Sequence, residues 1–361
     1  MPKGQVWPAE WSTYADRATG FVVRQVTQRP PAQNTHFYFH DPAWTADARW
    51  FVFVSDRAGA PGRVVTGAAS LFALDTTTGK LVQVTDRKVG HGMVSQRKPE
   101  VYYASGREMC ATNLDTLEER TIGALPTAAT GGRPALNADD SLLVFAGSWD
   151  GRPAILKMRA SDGEVSPVCY VHGGHVHCSP TDPGLIMHCD DTVPDEKPKQ
   201  RVWVLSTDGE RHWHPYTQTP QEWLTHESWL GTTGKILACY WPTGLMELSL
   251  DGAANRLIAR VNAWHAGASP DGSLCVVDTN WPDRGLHLIE TATGRMCKLC
   301  ETEANSAGLG AHPHPSFSLD GRYVVFGSER TGNPEVYMAE VAQAVARPDL
   351  WWTPTQAWHR F

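Results

Sequence analysis

A turn followed by an apolar strand recurs along this chain at a spacing of roughly 45 residues, the length of a four-stranded propeller blade. The clearest copy is Ser269-Pro270-Asp271-Gly272-Ser273-Leu274-Cys275-Val276-Val277-Asp278, followed by Gly285-Leu286-His287-Leu288-Ile289-Glu290 and the turn Thr291-Ala292-Thr293-Gly294. Thr45-Ala46-Asp47-Ala48-Arg49-Trp50-Phe51-Val52-Phe53-Val54 begins another copy, which ends in Thr76-Thr77-Thr78-Gly79. Others start near Asn137, Pro180, Gly231 and Ser318, and a degenerate one is centred on Lys98-Pro99-Glu100-Val101-Tyr102-Tyr103. Alternating apolar residues between Asp/Gly turns predict strands, and no long stretch carries a 3.6-residue period. The expectation is an all-β, seven-bladed β-propeller with four-stranded blades, a single domain over residues 1–361. Gly20–Thr27 reads as a strand that pairs with the last blade near Glu335–Glu340 and closes the ring, removing exposed edges. The tail over about 345–361 lies outside the repeats and is free to pack on the surface or reach a neighbouring subunit, so an oligomer through the tail is one expectation.

With 361 residues, a net charge of −7 and 41% hydrophobic residues, the chain has enough apolar material for a sizeable core. The mild acidity and the lack of a basic stripe argue against nucleic acid as a partner. No apolar run approaches the length of a bilayer span, so no membrane partner is expected. Met1-Pro2-Lys3-Gly4-Gln5-Val6-Trp7 lacks an apolar leader core, so a cytoplasmic location is expected, or a periplasmic one if a signal peptide has been removed. The eight cysteines are scattered through apolar runs and read as small buried hydrophobes in a reducing compartment. Cys297-Lys298-Leu299-Cys300 has metal-ligand spacing but no second pair to complete a site. The 15 tryptophans read mostly as core and blade packing, with stacking on sugar rings as the alternative for any on a concave face.

Histidines stand just before the turns of several units. His312 and His314 lie in Ala311-His312-Pro313-His314-Pro315-Ser316-Phe317, and alternate residues of an extended segment point the same way. His265 follows Trp264, His226 lies in Thr225-His226-Glu227-Ser228-Trp229, and His175 and His177 lie in Gly174-His175-Val176-His177-Cys178. Equivalent places in successive blades converge on one end of a central channel. Three imidazoles suffice as an inner shell for Mn²⁺, Zn²⁺ or Fe²⁺, and His265, His312 and His314 form the expected set. Arg201, in Gln200-Arg201-Val202-Trp203, is a further polar candidate. His188 and His91 read as structural, and Asp190-Asp191 as a solvated turn.

The segments His312-Pro313-His314-Pro315-Ser316-Phe317, Thr225-His226-Glu227-Ser228-Trp229, Trp264-His265 and Asn34-Thr35-His36-Phe37-Tyr38-Phe39 resemble the oligogalacturonate lyase family, seven-bladed propeller lyases of pectate fragments. The likeness spans nearly the whole chain, and the His-Pro-His-Pro-Ser-Phe motif is its most specific part. The resemblance implies a divalent metal, Mn²⁺ first, with Zn²⁺, Ca²⁺ or Fe²⁺ as alternatives, held by His265, His312 and His314. The family's fourth ligand, a glutamine, falls at Leu309, which cannot ligate; His177, His175 or water would have to replace it. The resemblance also places a base at His226 and an active-site arginine at Arg201. His175 is a second polar contact, to the leaving oxygen.

The implied chemistry is β-elimination on an acidic oligosaccharide. The proton on C5, beside the uronate carboxylate, is removed and the O4 substituent leaves, giving a 4,5-unsaturated sugar. Such a carbon acid needs its carboxylate charge offset by a cation or charged donor. Arg201 suits that task bidentately, and a neutral His226 suits proton removal. Two other readings stay open at this stage: the same fold and reaction on another uronate glycan, such as one containing glucuronate, and a non-catalytic TolB-like interaction scaffold. A metallohydrolase is disfavoured, because no carboxylate is clearly placed to activate water.

Overall fold

A computed structural model describes residues 2–59, 69–190, 200–280, 283–304 and 312–354. The chain folds into seven antiparallel sheets arranged as the blades of a β-propeller. Each of the seven recurrent turns precedes the second strand of a blade: Trp50–Ser55, Glu100–Ser105, Leu142–Trp149, Leu185–Cys189, Ile236–Tyr240, Leu274–Thr279 and Tyr323–Ser328. Side-chain chemistry explains why the same turn recurs. Ser269 Oγ donates to Asp271 (2.7 Å), Asp271 accepts from the Ser273 amide (3.0 Å), and the Leu274 amide donates back to Ser269 Oγ (3.0 Å). Thr45 with Asp47, and Ser318 with Asp320, repeat that pattern. A hydroxyl and a carboxylate two residues on thus satisfy the amides that a tight turn leaves open.

The first strand of each blade lies innermost, against the first strands of its neighbours. From the second blade onward these are Gly92–Val94, Ala129–Gly131 with Ala135–Leu136, Gly174–Cys178, Leu224–Trp229, Ala263–Ala268 and Ser316–Phe317. The first blade begins with Asn34–His36, after which residues 37–43 continue as irregular chain before the bridge Trp44–Phe51. The inner strand of the third blade is also interrupted: Ala129–Gly131 and Ala135–Leu136 both pair with Leu142–Trp149, leaving Arg133 in the gap. Between the blades, side chains such as Phe51, Phe72, Phe145, Leu237, Val276 and Phe326 are fully buried, so the core is a ring of layers between sheets.

Both ends of the chain build the last blade. Val22–Gln25 pairs with Glu335–Glu340, with Val23 opposite Ala339 and Gln25 opposite Tyr337, and Ser12–Ala15 adds outside it. This is the expected closure, and Thr27 and Asn34 reinforce it by donating to the buried Glu335 carboxylate (2.5 and 2.7 Å). The tail begins with the short helix Val341–Val345 and folds back on its own chain. Trp351 Nε1 donates to Ala344 (2.9 Å), and Trp352 bridges to Met296. Residues 355–361, the end of the tail proposed to reach a neighbour, lie outside the described residues. Cys297 and Cys300 are buried free thiols in Met296–Cys300, and burial pushes both up, Cys297 to about 11. Among the described residues no helix is long and apolar enough to cross a membrane.

Candidate active site and metal centre

Inner strands normally alternate their side chains between channel and core. Three consecutive blades break that alternation near their starts. The register slips between Gly174 and His177, between Thr225 and Ser228, and between Ala263 and Ala266. Each slip is a β-bulge, a device that leaves extra residues outside the ladder and re-aims their side chains. His175 (φ 43°) and His226 (φ 47°) lie inside two of these bulges with left-handed backbones, and His265 lies inside the third. His314, before the last blade's first strand, is left-handed as well (φ 43°). Non-glycine residues seldom adopt this conformation, and its recurrence at three of four converging histidines marks a functional region.

His265, His312 and His314 come together. One ligand atom from each lies within 4.8 Å of the others. The His265 and His314 ring centroids are 4.3 Å apart, and His312 stacks on His314 at 5.3 Å. The left-handed turn at His314, rather than plain extended alternation, brings the last two to one place. His36 Nε2 lies 3.0 Å from the Pro313 carbonyl, where this segment meets the first blade. Asp278, on the neighbouring strand Leu274–Thr279, holds His265 by both its ring Nδ1 (2.8 Å) and its backbone amide (2.6 Å). A ring whose Nδ1–H is held by a carboxylate presents a bare Nε2, the arrangement a metal-ligating imidazole needs. Burial, reinforced by His265, His36 and His312, holds His314 well below the usual histidine range, so its lone pair is also free. Three converging imidazoles, one held at Nδ1 by a carboxylate and one kept neutral by burial, fit a divalent transition metal.

His226 lies beside this group, its centroid 4.3 Å from His265 and 4.7 Å from Trp264. Burial, then His265 and His175, depresses it to about 2, leaving it neutral. His175 stacks parallel to His226 at 5.8 Å. Its Nδ1 meets Glu227 Oε1 (3.1 Å), while Arg201 Nε donates to Glu227 Oε2 (3.2 Å). Burial alone would raise the Glu227 carboxyl; Arg201 and His175 more than reverse that and hold it well below the usual range. A second close group, His175, Cys189 and Glu227, also has ligand atoms within 4.8 Å, but Arg201 already supplies the cation there.

His177 does not join the three-histidine group. It is ladder-paired opposite Met187 and faces down the channel, stacked on His40 at 3.4 Å. Burial, then His40, holds its ring well below the usual histidine range. His177, expected as a fourth ligand, is thus not among the ligand atoms that cluster within 4.8 Å. Leu309, where the family's glutamine would stand, lies outside the described residues. His188 and His91, expected as structural, have protein partners: His188 Nε2 contacts His212 Nε2 (2.9 Å), and His91 pairs with Asp41 (3.0 Å). Of the Asp190-Asp191 pair, Asp191 lies outside the described residues.

The site also contains residues that had no sequence signal strong enough to single them out. Tyr38, from the irregular chain of the first blade, lies 4.6 Å from His314 and 5.6 Å from His175. The Arg133 guanidinium covers its ring at 4.8 Å and also binds the buried Asp41 carboxylate, which His40 and His91 share. The run of aromatic and histidine residues over 36–40 was the available hint. The channel also holds a cavity of about 170 Å³, lined by Phe39, His40 and His177 together with Trp44, Met93 and Asn137.

No protein-family model matches the chain. It is 25% identical to the oligogalacturonate lyase of Dickeya dadantii (strain 3937), over 96% of this chain and all of that protein. It is 24% identical to the oligogalacturonide lyase of Pectobacterium atrosepticum, with the same coverage. Among solved structures, an oligogalacturonate lyase in complex with manganese superposes with a TM-score of 0.82 at 22% identity, covering 94% of this chain and 98% of that one. A second, from Vibrio parahaemolyticus, gives 0.81 at 22% identity with the same coverage. The resemblance to oligogalacturonate lyases therefore runs through the sequence and the fold over nearly the whole chain.

Proposed function

We propose that this chain is a carbon–oxygen lyase that cleaves short uronic-acid oligosaccharides, oligogalacturonides first among them, by β-elimination. The observation that carries this reading is the grouping of His265, His312 and His314 beside a neutral His226, with Arg201 and His175 across a shared carboxylate. The lyases it resembles in sequence, and a structural neighbour solved with manganese, support both the substrate class and the choice of Mn²⁺. The three histidines would hold the cation, which when bound supplies positive charge to offset the uronate carboxylate.

The chain's own residues do the rest. Arg201, kept protonated by Glu227, binds an acidic substrate and disfavours neutral sugars. His226 takes the C5 proton at a ring nitrogen, its lone pair free throughout neutral pH. The C4–O4 bond breaks as the C4–C5 double bond forms, the leaving oxygen takes a proton from solvent, and His226 afterwards releases the C5 proton to solvent. His175 contacts the substrate on the side away from His265. Tyr38 and Trp264 give the mouth of the channel apolar faces against which sugar rings can pack.

The test is ultraviolet absorbance of the conjugated product during incubation with oligogalacturonides and Mn²⁺, with and without chelator. Rising absorbance that a chelator abolishes supports the proposal. New reducing ends without absorbance would mean hydrolysis, and activity only on another uronate glycan would move the substrate but keep the reaction.

A further inference from the structure

We propose that Glu227 is a positioning residue that sets which ring nitrogen of His175 carries the proton while orienting Arg201 with the same carboxylate. The inference rests on the lyase reading for its consequence, but its structural content stands apart from it. Glu227 shares a bulge with His226, and its side chain is 0% exposed. Its two oxygens meet partners from the preceding blade: Oε1 meets His175 Nδ1 (3.1 Å) and Oε2 meets Arg201 Nε (3.2 Å), with the Cys189 thiol also bonded to the carboxylate. An ionised carboxylate only accepts hydrogen bonds, so Nδ1 of His175 must donate. A neutral His175 then has a bare Nε2. No described residue bonds that nitrogen, and the ring is 23% exposed at the channel mouth.

This placement assigns His175 a definite chemistry. While neutral, it offers an acceptor to a sugar hydroxyl. Only as an imidazolium, its charge balanced by Glu227, can it donate to the leaving oxygen. Arg201 is held through Nε, the base of its fork, so one anion orders both polar groups on the side of the site away from the three-histidine group. A structural carboxylate could hold Arg201 alone; holding a histidine at the same time fixes a tautomer.

Glu227→Gln tests this sharply, because His175 and Arg201 both donate to the carboxylate and an amide has only one oxygen. Arg201 cannot accept, so the amide oxygen is expected to serve Arg201 and the amide NH₂ to face His175 Nδ1. The ring then has to move its proton to Nε2. Imidazole ¹⁵N NMR on histidine-labelled, metal-free protein reads this directly, with the His175 signal assigned by its loss in His175→Gln. The expected result is an Nδ1–H tautomer in the wild type, Nε2–H in E227Q, and Nδ1–H restored in Glu227→Asp. Turnover in E227Q is expected to fall at least about tenfold, with metal content unchanged. An Nε2–H wild type, an unchanged tautomer in E227Q, or an Nε2–H tautomer in E227D overturns the proposal. If E227Q fails to fold, the wild-type and E227D spectra still decide it. A wild type with the expected tautomer but no lyase activity would count against the proposed function alone.

Discussion

Asp278 accepts two hydrogen bonds from one residue, His265: the ring Nδ1–H at 2.8 Å and the backbone N–H at 2.6 Å. The double contact fixes both the ring's tautomer and the bulged backbone that carries it. Asp278→Ala should therefore lower divalent-metal affinity by about 10- to 100-fold, the usual effect of removing such a supporting carboxylate. Titration calorimetry with Mn²⁺ checks this, and unaltered affinity would remove His265 from the ligand set.

His226 and His312 should separate when mutated. His226→Ala should cut turnover by at least about 100-fold while metal content stays at the wild-type level. His312→Ala should lose the metal and, with it, the activity. Metal analysis of both purified variants beside the absorbance assay makes the distinction, and full activity in both would dismantle the site.

Acid should destabilise the metal-free protein early. Burial holds His40 and His188 at about 4 and depresses His91, His177 and His287 as well. Below about 6.5 the unfolded chain takes up protons on these rings while the native state refuses them. Stability therefore falls with decreasing pH, each such ring contributing a slope of about 1.4 kcal/mol per pH unit until its own native pKa is reached. Carboxylates held low, such as Asp41 and Glu227, add their loss only at more acidic pH. Melting temperatures measured from pH 7.5 to pH 5 should drop steeply below about pH 6.5; a flat profile down to pH 5 would contradict this account.

Asp41 ties the irregular chain of the first blade to the gap in the third through Arg133, and it also holds His40 and His91. Asp41→Asn leaves at least one of those buried groups without an acceptor, a loss of about 1–3 kcal/mol. Arg133 is 38% exposed and can turn to solvent, so the low end of that range is expected. Urea unfolding checks it, and a change below measurement error would mean that His40 and His91 find other partners.

The blades were legible because their turns are local. Ser269 and Asp271, or Ser318 and Asp320, need only each other and the next few amides, so the pattern survives in the sequence. The inner strands were not, since Ser316–Phe317 spans two residues and the third blade's inner strand is split. Strict alternation puts His175 and His177 on one face; the slip between Gly174 and His177 separates them. Asp41 meets Arg133 across 92 residues, a partnership that composition and spacing cannot reveal. Asp278 did leave a trace, as a carboxylate closing the apolar run Leu274–Val277.

The repeated slips in the inner strands have an evolutionary consequence. Residues 226 and 227 stand outside the hydrogen-bonded pairs formed by Thr225 with Cys239 and Ser228 with Leu237. Exchanging such supernumerary residues leaves the neighbouring pairs in step, so a lineage can retune what the mouth recognises without rebuilding the sheet. The frame and the chemistry are, in that sense, separately heritable.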